Sequence, residues 1–244
     1  RSIRALWSAG SYAAVGDRWA FVGRDLAAEL DARVGLAGRP VLDAACGTGN
    51  TTLALARLGA EVVGVDLTPD LLAIARERAR AEGLVVDWRE GDLLDLPVEA
   101  DAFDVVTSTF GAFIADDPYA CAAELVRACR PRGTIAVTAW GRSGPFELLR
   151  SVVFAHHPEL DVERPDAAAW TERDGLEDRF AGTGARLVDL EQRLAPLPFD
   201  SVEHAVAFLT EHSGPMQATR AGVEEHGGDW DALMAEVAEA WRPH

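Results

Sequence analysis

The segment Val41-Leu42-Asp43-Ala44-Ala45-Cys46-Gly47-Thr48-Gly49-Asn50 constrains this chain more than any other stretch. A short apolar run enters a glycine-rich turn, and Thr51 to Leu58 then carries apolar residues at helical spacing. The segment therefore predicts a buried strand, a tight turn and a helix start. Glycine at 47 and 49 lets a ligand approach the backbone, and the free N–H groups of a helix start favour a carboxylate or phosphate.

The same alternation continues downstream. Apolar runs at Pro40 to Asp43, Glu61 to Asp66, Leu84 to Arg89, Phe103 to Ser108 and Thr134 to Trp140 read as strands. Thr51 to Leu58, Pro69 to Glu82 and Pro118 to Arg130 read as the helices between them, which predicts βαβ units on a parallel sheet. The 244 residues suit one large α/β domain with decorations. Residues 1–34 hold amphipathic helical stretches marked by Trp7, Tyr12, Trp19, Phe21 and Leu26. Residues 145–182 read as helices around a break at His157 to Pro165. Arg186 to Arg193 and Leu197 to Phe199 read as an antiparallel strand pair, and Ser201 and Asp229 as N-caps of helices reaching His212 and Trp241.

A dinucleotide fingerprint would place a third small residue at 52, where this chain has Thr52, so a pyrophosphate cradle is disfavoured. Asp43, four residues ahead of the loop, is placed to order the turn and face the cationic end of a ligand. Asp66 ends the second strand about 20 residues on, where an acid can take both ribose hydroxyls. Glu90-Gly91-Asp92-Leu93 follows the third strand, with a carboxylate and a backbone amide placed to read an adenine edge; a solvated surface acid is the other reading of Asp92.

VLDAACGTGN, VVGVDLTPDLL, EGDLLDLP, FDVVTSTFGAF and ELVRACRPRGTIAVTAW, in this order and spacing, resemble the successive motifs of class I S-adenosylmethionine-dependent methyltransferases, especially the group similar to ubiquinone and menaquinone biosynthesis enzymes. The match is strong over residues 40–140. The resemblance implies a Rossmann-like α/β fold with a mostly parallel seven-stranded sheet, one antiparallel strand and an N-terminal helical cap. It further implies a single domain over 1–244, divided into a cap (1–38), a cofactor-binding core (39–141) and acceptor-site helices with a C-terminal strand pair (142–244). By the same resemblance Gly47, Thr48 and Gly49 face the methionine part of S-adenosylmethionine, Asp66 the ribose and Asp92 the adenine, while Ser108, Thr109 and Phe110 line the floor near the sulfonium. Tyr12, Asp43, Ala44, Leu67, Gly91 and Leu93 complete the expected cofactor contacts. Arg132 departs from the family, since Pro131-Arg132-Gly133 stands where Pro-Gly-Gly is usual.

Methyl transfer from a sulfonium is an in-line displacement with a neutral leaving group, so it asks mainly for aligned reactants, and alignment alone can supply roughly 7 to 11 kcal/mol. A hydroxyl or acidic carbon as acceptor adds the need for a base. His156 and His157 are the candidates, with a solvated helix C-cap as the other reading; His204 and His212 are weaker ones. Trp19, Phe113, Trp140 and Phe146 are expected to wall the acceptor site. A metal pair is one reading of Asp116 and Asp117, but Asp117-Pro118 reads better as an N-cap with proline in the first turn, and no metal is predicted.

A formal net charge of -17 opposes a nucleic-acid substrate unless a local basic patch offsets the field; all 23 basic residues are arginine. The three cysteines have no disulfide or zinc-like spacing, and no run reads as a membrane span or signal peptide, so a cytoplasmic protein that does not engage membranes, acting on a small-molecule acceptor as a monomer or homodimer, is expected. A protein that binds the same cofactor but catalyses a non-methylating, for example pericyclic, step is the alternative; a scaffold or a dehydrogenase fits the motifs less well.

Overall fold

A computed structural model describes Arg4 and residues 7–141, 145–160, 166–196 and 198–242. In chain order it contains helices α1 (Tyr12–Arg18) and α2 (Ala20–Val34), strand β1 (Pro40–Ala44), helix α3 (Asn50–Arg57), strand β2 (Glu61–Asp66), helix α4 (Pro69–Ala81) and strand β3 (Asp87–Glu90). Strand β4 (Phe103–Thr109), helix α5 (Pro118–Ala128), strand β5 (Cys129–Thr138) and helices α6 (Pro145–His156), α7 (Arg173–Arg179), α8 (Val202–His212), α9 (Gly214–Glu225) and α10 (Trp230–Trp241) follow.

These elements pack as two compact units. A sheet unit comprises Gly16–Ala139 and Pro165–Leu194, and a helical unit comprises Arg1–Val15, Trp140–Arg164 and Ala195–His244. Helix α2 belongs to the sheet unit because it lies against α3: a Cβ on Gly23 would sit 2.4 Å from Thr51 Oγ1, and Ala27 and Leu30 share a core with Leu55.

In the sheet unit the strands run in the order β3-β2-β1-β4-β5, and every pair is parallel. Strand β1 is central and, apart from Pro40, buried, as a near-continuous apolar strand in a parallel sheet should be. Its alternate residues serve opposite faces. Val41 joins Leu30, Leu55, Val62 and Val105, while Leu42 and Ala44 join Val65, Val106, Leu125 and Trp170. Helix α5 begins as the sequence predicts, with the Asp117 carboxylate accepting from Tyr119 N at 3.0 Å and Ala120 N at 2.9 Å and proline in the first turn.

Five strands form among the described residues, not seven, and none is antiparallel. Arg186 to Arg193 carries no strand, and Leu197 of its intended partner lies outside the described residues. The reason is spacing: Leu187 and Leu190 are the residues packed on the core, three apart, while Val188 is 76% exposed, so the two-residue alternation of a half-buried strand is not realised. Two ion pairs hold the segment to α2 instead, Arg33–Asp189 at 2.6 Å and Arg193–Glu29 at 2.7 Å. Strand β3 likewise starts at Asp87 and not at Leu84, leaving Val85 exposed.

In the helical unit α6, α8, α9 and α10 gather around Val153, Leu209, Val223, Val237 and Trp241. Ser201 and Asp229 cap α8 and α10 as expected, accepting from His204 N and Ala232 N, each at 3.1 Å. Helix α9 was not predicted; Ser213 caps it and Pro215 stands in its first turn. No described helix is long and apolar enough to cross a membrane.

Candidate functional site

Strand order places a topological switch point between β1 and β4, where the chain, having built β2 and β3 on one side, turns to the other. Open α/β sheets take ligands at the carboxyl ends of the strands at such a point. Two backbone residues are held in the left-handed region there, Ala45 (φ 56) after β1 and Phe110 (φ 57) after β4. Strain of this kind gathers where a site over-determines the backbone.

The glycine-rich turn is built by cross-strand bonds. Cys46 N donates to Val65 O at 2.9 Å and Gly49 N to Cys46 O at 2.9 Å, and Gly49 adopts φ 84 as the N-cap of α3 with no side chain capping it. The Asp66 carboxylate accepts from Gly47 N at 2.8 Å and from Thr68 N at 2.8 Å, so it ties the turn after β1 to the turn after β2. Asp66 is buried, and burial raises its pKa despite those two amides.

Asp43 differs from expectation. It is wholly buried and accepts from Thr52 Oγ1 at 2.5 Å and Thr107 Oγ1 at 3.0 Å, so it braces α3 and β4 from beneath the turn and presents no oxygen at the surface. Burial, partly offset by the two hydroxyls, pushes its pKa up to about 6. The same contact explains Thr52: a hydroxyl is needed there to satisfy the buried acid.

The other expected cofactor residues fall as follows. Ala44, Thr48 and Ser108 are buried; Ser108 Oγ donates to Ala44 O at 2.8 Å and accepts from Ala112 N at 3.0 Å. Thr109 Oγ1 accepts from Thr51 Oγ1 at 2.8 Å, and Phe110 N reaches Thr138 O at 3.2 Å. Leu67 is half-buried between Asp66 and Thr68. Gly91 is forced by close packing, since a Cβ would lie 2.4 Å from Pro97 Cδ; Asp92 is exposed and accepts from Leu94 N at 2.9 Å, and Leu93 packs on the core.

Two contributors escaped the sequence reading. Arg78 on α4 forks onto Asp17 with two contacts of 2.8 Å and reaches Asn50 Oδ1 at 3.1 Å and Thr48 Oγ1 at 3.3 Å, clamping the turn from outside. No local pattern marks it. Trp88 lies where a Cβ on Gly64 would be 2.7 Å from its ring and one on Gly49 2.8 Å away. An isolated glycine inside an apolar strand signals such a close approach, and Gly64 offered that signal.

Of the expected acceptor residues in the sheet unit, Trp19 is buried and Phe113 packs on the core. In the helical unit the Trp140 and Phe146 rings meet at 5.1 Å with their planes tilted by 49°, and Tyr12 meets Trp7 edge-on at 5.0 Å. His156 pairs with Glu236 at 2.8 Å and is half-exposed, while His157 pairs with Glu159 at 2.9 Å and is packed so closely that a Cβ on Gly228 would lie 2.4 Å from its Nε2. The His157 side chain is thus closely packed, 12% exposed. The three cysteines are buried and free, each thiol pushed up by burial, Cys121 to about 12 and Cys129 to about 11, so all are protonated and inert at neutral pH.

A family profile described as a methyltransferase domain matches residues 41–133. Demethylmenaquinone methyltransferase of Thermus thermophilus is 40% identical over 56% of this chain and 61% of its own. The chain belongs to the class I S-adenosylmethionine-dependent methyltransferases. An uncharacterised protein of Mycobacterium tuberculosis is 34% identical over 96% of this chain and 83% of its own, so the likeness extends beyond the matched core. The solved structure of the [4+2]-cyclase SpnF shares the fold, with a TM-score of 0.60 at 23% identity over 89% of this chain and 76% of that one. In this methyltransferase, then, the switch-point turn, Asp66 and the strained Phe110 occupy the edge of the sheet where ligands of such folds bind.

Proposed function

We propose that this enzyme transfers the methyl group of S-adenosylmethionine to oxygen, carbon or nitrogen of a small organic metabolite of secondary or quinone-like metabolism, releasing S-adenosylhomocysteine. The observation that carries this reading is the turn tied by Asp66 at the switch point, with the uncapped start of α3 beside it. The residues fit the cofactor: a carboxylate has about four acceptor positions, so Asp66 keeps capacity for ribose hydroxyls beyond the Gly47 and Thr68 amides and the Thr68 hydroxyl, and the Thr48–Gly49 backbone can approach the methionine portion. The name of the Thermus relative supports a quinone-like acceptor.

Bound S-adenosylmethionine supplies the activated methyl group. This chain's own residues hold the turn in place: Asp43 fixes the strand under it, Arg78 clamps it from outside, and Phe110, strained after β4, is the residue proposed to lie near the sulfonium. An acceptor that carries an acidic proton adds the need for a base. His156 is held by Glu236 at 2.8 Å, and His156→Ala should leave most activity; a loss of a hundredfold or more would make it the base.

The test is incubation with methyl-labelled S-adenosylmethionine and a small-molecule extract of the source organism, following both the label and S-adenosylhomocysteine. Label in a new metabolite supports the proposal and identifies the acceptor. Tight cofactor binding without transfer to anything in the extract would replace it with the non-methylating reading.

A further inference from the structure

At the opposite end of β1 from the glycine-rich turn, the amino-terminal edge of the sheet carries a groove of about 370 Å³ lined by Arg33, Arg39, Asp104, Arg130, Arg132 and the backbone around Gly133. Four arginines and one acidic residue line it, in a chain whose net charge is -17. Asp104 is shared, at 3.0 Å from Arg130 and 3.6 Å from Arg39. Arg33 is engaged outside the groove by Glu29 and Asp189, each at 2.6 Å. Arg132 is exposed and forms no ion pair among the described residues.

The backbone is arranged to put these groups there. Strands β4 and β5 pair Phe103 with Cys129 and then Val105 with Thr134, so Arg130–Gly133 bulges out opposite Asp104. Gly133 closes the bulge, for a Cβ would lie 2.6 Å from Cys129 Sγ and 2.9 Å from Asp104 O. At the tip Arg132 holds φ 70, a left-handed conformation that a glycine takes without strain and an arginine does not. An arginine held there without a carboxylate partner, on a bulge beside two guanidinium groups that share one acid, leaves positive charge locally unbalanced. Guanidinium groups bind phosphoryl oxygens in bidentate fashion, and the field of the whole chain repels an extended polyanion, which leaves a compact ligand.

We propose that this groove is a binding site for a small soluble metabolite bearing a phosphate or diphosphate group, separate from the glycine-rich turn. Calorimetry on the full chain with sodium pyrophosphate, against sodium chloride of matched ionic strength, tests it. Saturable one-to-one binding is expected for the native chain. Arg132→Gly should weaken it at least tenfold, while the melting temperature of this variant without ligand stays level or rises as the backbone strain is relieved. Absence of saturable binding, or undiminished binding by Arg132→Gly, overturns the site. Sedimentation with phosphatidic acid vesicles by a chain that does not bind pyrophosphate would overturn the soluble ligand in favour of a lipid headgroup.

Discussion

Two aspartates set the chemistry of the sheet's carboxyl edge in different ways. Asp66 joins two turns through a buried carboxylate. Asp66→Ala should weaken S-adenosylmethionine binding by about 1.5 to 3 kcal/mol, the scale for hydrogen bonds to a charged group. Calorimetry checks this, and unchanged affinity would remove the ribose assignment. Asp43 is internal, and its pKa is raised from 3.8 to about 6. In that interval the folded chain keeps a proton that the unfolded chain has released. This carboxyl therefore contributes stability that is complete at acid pH and is lost as pH rises through about 6, on the order of 3 kcal/mol at full development. Asp43→Asn removes the buried charge, and the rotatable hydroxyls of Thr52 and Thr107 can satisfy the amide. In urea titrations the variant should exceed the native chain in stability at pH 7, with the gap closing toward pH 4; parallel profiles at both pH values would refute the assignment.

Among elements, the contact that most limits the site is that of Trp88 on β3 with Gly64 on β2 and Gly49 at the start of α3. Gly64→Ala should destabilise the fold by about 1 to 3 kcal/mol through overpacking. The penalty should shrink in a Trp88→Leu background, a coupling that a double-mutant cycle reads directly. Additive effects would mean that the indole does not set the spacing. The helix and strand boundaries around this contact were largely legible, since Glu61–Asp66 and Pro69–Ala81 follow from apolar runs, a proline at N1 and a glycine behind. The segment after Arg186 was not, because its apolar residues fit either a strand or an irregular run packed three residues apart, and the packing of Leu187 and Leu190 together with the ion pairs to α2 decides between them.

For the molecule as a whole, a net charge of -17 makes self-repulsion a term in stability. Raising sodium chloride from about 10 to 150 mM shortens the Debye length from roughly 30 to 8 Å, so the melting temperature should rise despite the many Arg–Glu pairs, which are exposed and individually weak. A fall would show that those pairs outweigh the repulsion. By itself the sequence determined the parallel α/β core, the glycine-rich turn and the acid at the end of the second strand, because local periodicity and backbone freedom encode them within a few residues. Only the tertiary structure decided that Asp43 turns inward, that Arg78 and Trp88 hold the turn, that His157 is packed away, and that five strands form among the described residues. Each of those depends on which distant groups meet, and burial and pairing across tens of residues leave no periodic trace in the chain.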